Sequence, residues 1–349
     1  MIQRLSFWIM MIVCSVMVSG QEYDGYYTNP ILPSGADPWV VKHEGWYYYC
    51  CGVPGGIGVS RSRDLHKINP PVRVWKAPEK GQWNSTCIWA PELHFWKGKW
   101  YIFYAGGYSG PPFIHQKTGV LESVTSDAMG EYIDKGMLFT GDVLGDWKNN
   151  RWAIDMTLLE HKGQLYAVWS GWENSEPTDK TQQHLYIAKM ENPWTMASGR
   201  VKISSPDRYY EQGELPLNEG PQILKHGKDV FVVYSCGQSW LDTYKLSYLR
   251  LKDPDADLLD PKSWIKRPYR YSVPAPTIIC SGRTFMPRKS DKCRAMASRS
   301  SKMPAAGEGV IIFITIRKKR ENPVGNGIFV FRSLLLMHLA FHVLGSRFR

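Results

Sequence analysis

One pattern occurs four times along this chain, and a repeat of that kind constrains the architecture more than any other feature. Asp37-Pro38-Trp39-Val40-Val41 is followed by Gly45 and then Trp46-Tyr47-Tyr48-Tyr49. Asp155-Met156-Thr157-Leu158-Leu159 is followed by Gly163 and Leu165-Tyr166-Ala167-Val168-Trp169. Glu219-Gly220-Pro221-Gln222-Ile223-Leu224 is followed by Gly227 and Val230-Phe231-Val232-Val233-Tyr234. The remaining copy opens on Ala90, in Ala90-Pro91-Glu92-Leu93-His94-Phe95-Trp96, and continues through Gly98 to Trp100-Tyr101-Ile102-Phe103-Tyr104. In every copy the glycine stands eight residues after the opening residue. Each copy reads as a strand, a tight glycine turn and an aromatic strand, which is a hairpin signature. Third strands are readable at Ile57–Arg61, Gly119–Val124, Leu185–Ala188 and Lys245–Arg250. Helical periodicity is scarce. Sheet units recurring 53, 65 and 64 residues apart predict an all-β chain, and a β-propeller in particular. A β-sandwich is the alternative, but it leaves the recurring acids without a reason.

A fifth repeat on this spacing falls near residue 282, and there the pattern collapses. The segment 281–349 holds 14 Lys/Arg against 3 Asp/Glu, the whole of the chain's +11 net charge. The rest balances at 29 basic and 29 acidic residues. The basic character therefore describes one abnormal tail. It forms no recognisable nucleic-acid module, so a nucleic-acid partner is not expected. Residues 1–20 read as a secretory signal: Arg4, then an apolar run from Phe7 to Val18, then small residues before Gln21. The expected organisation is a signal peptide at 1–20, four blades over 21–280 and an aberrant basic tail over 281–349. A secreted, extracellular product follows, with no membrane association after signal removal. Most of the six cysteines that remain after signal cleavage are expected as buried free thiols, and Asn84-Ser85-Thr86 as a glycosylation acceptor on a loop.

Carboxylates brought from separate blades to one axis repel one another, so one of them holds its proton to higher pH while another stays ionised. Hydrolysis of a glycosidic bond uses that division: an acid protonates the leaving oxygen and a carboxylate activates water. Aromatics make up 13% of the chain, with 15 Trp and 19 Tyr, and aromatic faces suit sugar rings. Trp39, Trp89, Trp152, Trp172 and Trp240 flank the acids, and core packing is the competing role for each. No cluster of His or carboxylates has metal-ligand spacing.

Ala36-Asp37-Pro38, Trp89-Ala90-Pro91-Glu92-Leu93, Ala153-Ile154-Asp155 and Asn218-Glu219-Gly220-Pro221-Gln222 resemble the motifs of glycoside hydrolase family 43. Tyr166–Trp172 and Leu258–Trp264 resemble its exo-α-L-arabinofuranosidases. The resemblance runs from about Asn29 to Ile265 and implies a five-bladed β-propeller that hydrolyses with inversion. It implies Asp37 as general base, Glu219 as general acid, and Asp155 as the group that orients the acid and tunes its pKa. Trp39, Trp89, Glu92 and Trp172 are the expected substrate-binding residues. No cofactor is required by this reading, although family members often hold a calcium ion or water on the axis beside a fifth-blade histidine in a Gly-His-x-Ser type segment. That segment is absent from this sequence. Met156 stands where the family usually has proline.

The fifth blade is thus expected to be degraded or missing. A reading-frame error accounts for it. Shifting the codons of Arg294 through Met303 to the third base permits Gly-His-Gly-Phe-Ser-Phe-Ile-Lys-Asp, close to the absent segment. The expected activity is release of terminal α-L-arabinofuranose from arabinan or arabinoxylan, plant cell-wall type polysaccharides. β-Xylosidase activity and a catalytically dead sugar-binding propeller are the alternatives.

Overall fold

A computed structural model describes residues 32, 35–65, 67–174, 181–213, 215–239, 244–267, 312–318 and 331–337. The described residues within 39–266 form four antiparallel sheets in a four-blade propeller arrangement. Sheet one is β1 (Trp39–His43), β2 (Trp46–Val53), β3 (Gly56–Ser62) and β4 (Val72–Lys76). Sheet two is β5 (Thr86–Trp96), β6 (Lys99–Gly107), β7 (Lys117–Ser123) and β8 (Tyr132–Met137). Sheet three is β9 (Ala153–His161), β10 (Gln164–Trp172) and β11 (Gln183–Asn192), with β12 (Thr195–Met196) and β13 (Val201–Ser204) both pairing with β11. Sheet four is β14 (Asn218–His226), β15 (Asp229–Cys236), β16 (Lys245–Leu251) and β17 (Trp264–Lys266). The signal segment lies outside the described residues, as does most of the tail. Within the tail, β18 (Ile312–Lys318) and β19 (Phe331–Met337) pair as a hairpin, where the sequence pattern predicts a single strand over Gly309–Ile314. Among the described residues no helix is long and apolar enough to cross a membrane.

Local sequence sets each meander. The first hairpins turn at Glu44-Gly45, Lys97-Gly98 and Lys162-Gly163, with both residues at positive φ in every case. That is the type I′ turn, whose twist matches paired strands. The second strands of sheets two and three are apolar without alternation because both of their faces are covered. Trp100, Ile102 and Tyr104 of β6 pack with Tyr48, Cys50, Ile57 and Val59 of sheet one. Tyr101 and Phe103, pointing the other way, pack with Ala153, Met156, Leu165, Ala167 and Trp169 of sheet three. Tyr166 and Val168 then meet Val230, Val232, Tyr234 and Cys236 of sheet four. Three inter-sheet cores therefore line up in chain order, and the first strands β1, β5, β9 and β14 lie next to one another. The four described cysteines are free, with Cys50, Cys51 and Cys236 buried and Cys87 half-buried, as expected for most of them.

Asn84 corrects the glycosylation expectation. It is 2% exposed, and its Nδ2 donates to the Tyr104 hydroxyl (2.6 Å) and to Asp134 Oδ2 (3.0 Å). The nitrogen that would carry a glycan is committed inside the fold.

Candidate active site

The first strands share a bulge at the end where the motif residues lie. Trp89 pairs with Ala105 and Glu92 with Phe103, so Ala90 and Pro91 face the single residue Tyr104. In the same way Asp155 and Met156 face Trp169, and Gly220 and Pro221 face Tyr234. The first residue of each pair is left-handed, at φ 43 for Ala90, 55 for Asp155 and 57 for Gly220. Asp37 (φ 46) with Pro38 occupies the corresponding place just before β1. Left-handed backbone is costly for residues with a Cβ, and asparate-like side chains tolerate it best. Strain held at one position in several repeats is a mark of function.

This geometry revises the matched positions. Asp37, Ala90, Asp155 and Gly220 are equivalent, and Glu219 stands one residue earlier, level with Trp89 and Ile154. The cause is the fourth turn. There Gly227 (φ 58) takes the first loop position, whereas Gly45, Gly98 and Gly163 take the second. Counting from the glycine displaces the fourth repeat by one. Two aspartates thus share a register, and the glutamate is offset from them.

Asp155 and the Glu219 segment are joined directly: Asp155 Oδ2 accepts a hydrogen bond from the Gly220 amide at 2.9 Å. Asn218, on the other side of Glu219, is buried and held from several directions. Its carbonyl accepts from Ser170 Oγ (2.9 Å), its Oδ1 accepts from Ser204 Oγ (2.7 Å), and its Nδ2 donates to Glu211 Oε1 (3.2 Å). Glu211 is itself buried between the Tyr234 hydroxyl (2.7 Å) and Lys266 Nζ (2.7 Å). This network around Asn218 is invisible in the sequence, because Glu211 and Lys266 belong to no motif.

The expected binding residues separate by depth. Trp39 and Trp89 are half-buried. Trp39 Nε1 donates to Leu93 O at 2.7 Å, and its ring lies 4.8 Å from that of His94. Trp172 is 2% exposed and stacks on Trp152 at 4.4 Å with the rings 3° from parallel, so it packs the core beneath the rim. Glu92 is 5% exposed. Burial first, and the charge of Asp155 besides, push its carboxyl well above the usual range, with the Thr157 hydroxyl partly opposing them. Burial also pulls His94 down to about 3. Glu92 Oε2 and His94 Nε2 share a 3.3 Å hydrogen bond. Trp240 lies outside the described residues.

No group of three or more His, Cys, Asp or Glu among the described residues is arranged to hold a metal ion. Calcium takes six or more oxygen ligands, and no cluster of carboxylates among the described residues offers such a set. No step below is routed through an ion.

Residues 27–271 match the profile of Glycosyl hydrolases family 43. The chain belongs to this family. It is 32% identical over 246 residues to Alpha-L-arabinofuranosidase 43 of Humicola insolens, covering 69% of this chain and 48% of that one. It is 30% identical over 248 residues to the Extracellular exo-alpha-(1->5)-L-arabinofuranosidase of Streptomyces chartreusis, covering 69% and 71%. It spans about half the length of several curated relatives it matches. Among solved structures, the alpha-L-arabinofuranosidase of Lactobacillus brevis superposes with a TM-score of 0.61 at 30% identity, covering 69% of this chain and 74% of that chain.

Proposed function

We propose that this chain is an exo-acting glycoside hydrolase that releases terminal α-L-arabinofuranose from arabinan or arabinoxylan with inversion. Glu219 is the general acid on the glycosidic oxygen, and Asp37 is the base that activates water from the opposite side. Asp155 orients the acid through the amide that follows it. The observation that carries the reading is the Asp155–Gly220 hydrogen bond, which couples one left-handed aspartate to the backbone beside Glu219 while the equivalent aspartate stands on sheet one. An inverting enzyme needs unlike carboxyls separated widely enough to admit water, and acids supplied by sheets one and four suit that demand. Relatives named as arabinofuranosidases favour the pentose assignment. Export is part of the proposal, supported by the 1–20 segment and by a relative named extracellular. The ring is taken as five sectors, with 281–349 standing where the fifth would come.

The test is turnover of an aryl α-L-arabinofuranoside and of debranched arabinan, with the product anomer followed by NMR and an aryl β-xyloside as comparison. Glu219→Gln and Asp37→Asn should each lower turnover of arabinan by roughly 10²–10⁴-fold while the sugar still binds. Glu219→Gln should lose less on an aryl substrate, whose leaving group needs less protonation. If both variants keep wild-type turnover, the assignment of acid and base fails.

A further inference from the structure

The connection between β6 and β7, residues 108–116, is an aromatic loop that no step above uses. In an antiparallel meander this connection returns to the end where β5 begins, so it lies at the bulge end of the propeller. Its contacts fix that place. Trp152 Nε1 donates to Phe113 O (2.8 Å), and the Ala153 amide donates to Gln116 O (3.3 Å). Ala153 is two residues from Asp155, about 7 Å along a strand. The Phe113 ring meets Trp89 edge-on at 4.8 Å, and Trp89 is the residue before the bulge of sheet two. The base of the loop is tied to β5 as well, by Gln116 Nε2 to Cys87 O (3.0 Å) and Cys87 Sγ to Ser109 O (3.3 Å).

The loop is anchored at its base and flank, yet it holds rings out into solvent. Tyr108 is 50% exposed and Phe113 is 37% exposed. Tyr108 is not a free surface side chain: it stacks on His115 at 4.1 Å and 23°, and its hydroxyl shares a 3.0 Å hydrogen bond with His115 Nδ1. One face is spent on the imidazole and the rotamer is set before any ligand arrives. Fixing a ring in advance removes the ordering cost that normally weakens binding through surface side chains. A presented aromatic face beside donors and acceptors is the chemistry that takes a sugar ring, with C–H groups on the face and hydroxyls at the edge.

We propose that the loop 108–116 is a platform for the polysaccharide chain beyond the cleaved unit, with Tyr108 on its His115 support and Phe113 as the stacking faces. The proposal deepens the hydrolase reading and rests on it for the identity of the sugar. It makes a polymer or oligosaccharide the substrate, in preference to a disaccharide.

Affinity electrophoresis of the full chain in gels containing soluble arabinan, arabinoxylan or, as a non-pentose control, hydroxyethylcellulose tests this without requiring turnover. Wild type should be retarded by the pentose polymers. Tyr108→Ala should weaken that retention by about fivefold, the scale of one stacking contact. Tyr108→Phe, which keeps the ring on His115, should recover most of it. Val72→Ser, altering an exposed side chain on the outer strand β4, should change nothing. Wild-type migration unaffected by either pentose polymer overturns the platform, and so does Tyr108→Ala retained like wild type. Aryl arabinofuranoside hydrolysis is assayed on the same wild-type preparation. Retention without hydrolysis would sink the catalytic reading and leave the platform standing.

Discussion

Sheets two and three have a neighbouring sheet on both faces, whereas sheets one and four, among the described residues, have one on a single face. The difference is written in the side chains. β6 presents Trp100, Ile102 and Tyr104 one way and Tyr101 and Phe103 the other, all buried and all in inter-sheet cores. β2 of sheet one sends Tyr48 and Cys50 into the core with sheet two, while its other face carries Tyr49 and Cys51, with Ser60 alongside on β3. On sheet four, Phe231, Val233 and Ser235 occupy the corresponding outer face. The middle sheets therefore have both faces of their second strands in inter-sheet cores, and the end sheets have one. The chemistry is distributed the other way. The proposed base and acid come from the two end sheets, and Asp155 comes from a middle one. Stability and catalysis thus draw on different sheets, with the Asp155–Gly220 bond running between them.

The largest expected effect tests that division. Phe103→Ala removes a ring packed between sheets two and three and should cost about 3–5 kcal/mol. Phe231→Ala, on the outer face of sheet four with Tyr248 as its ring neighbour, should cost roughly 2 kcal/mol, since that side can relax more easily. Urea denaturation of both variants measures the pair, and equal losses would break the comparison.

A second, smaller effect comes from titration inside the middle sheets. Burial lets Glu92 hold its proton to higher pH in the fold, whereas the unfolded chain gives it up above about pH 4.3. The Glu92 contribution to wild-type stability should therefore shrink as pH rises beyond that point. Glu92→Gln carries no such penalty and can still donate to His94, so its advantage over wild type should grow between pH 5 and 8. As pH falls below about 6.5 both proteins should lose stability through their histidines, the variant more steeply because it regains nothing at position 92. His94 and His184, held down to about 3 and about 4 by burial, stay neutral in the fold while the unfolded chain takes up protons below about 6.5. Thermal melts across pH 3–8 give both limbs. A Glu92→Gln curve parallel to wild type would show that Glu92 is ionised in the fold.

Much of the fold is legible in the sequence because of where burial falls. Runs such as Trp100–Tyr104 are buried on both faces, so their hydrophobicity is continuous and unmistakable. The Gly-marked I′ turns have few alternatives in sequence. The fourth strands are not legible. Val72 on β4 and Ile133 on β8 are exposed, and Tyr132–Met137 reads Tyr-Ile-Asp-Lys-Gly-Met, with neither alternation nor an apolar run. Short outer strands are recruited by the edge of the sheet, not by their own pattern. At the site, residue types are readable but depth is not. Glu92 and Trp172 sit beside motif residues in sequence yet are buried in the fold. The rim ring Tyr108 lies in a Ser-Gly-Pro-Pro loop that reads as a mere connection. The offset of Glu219 is hidden because a two-residue turn accepts glycine in either place.

The smallest expected effect probes that offset. Gly220 shares its left-handed backbone with Ala90, and a Cβ there would meet little beyond Ser235 Oγ at 3.8 Å. Gly220→Ala should cost about 1 kcal/mol and leave the fold intact, as scanning calorimetry can measure. A loss of several kcal/mol would mean that the bulge of the end sheet is less forgiving than that of sheet two.

The one-residue slide of Glu219 has a consequence for any molecule assembled from copies. Rotating a unit about an axis yields identical groups at identical heights, and identical carboxyls take different roles only by dividing a shared proton between them. Moving a single carboxyl up the strand by one position, and lengthening it by a methylene, breaks that degeneracy without disturbing the frame. Converting Ala90 into aspartate would accordingly add a third member to the aspartate ring at the same height.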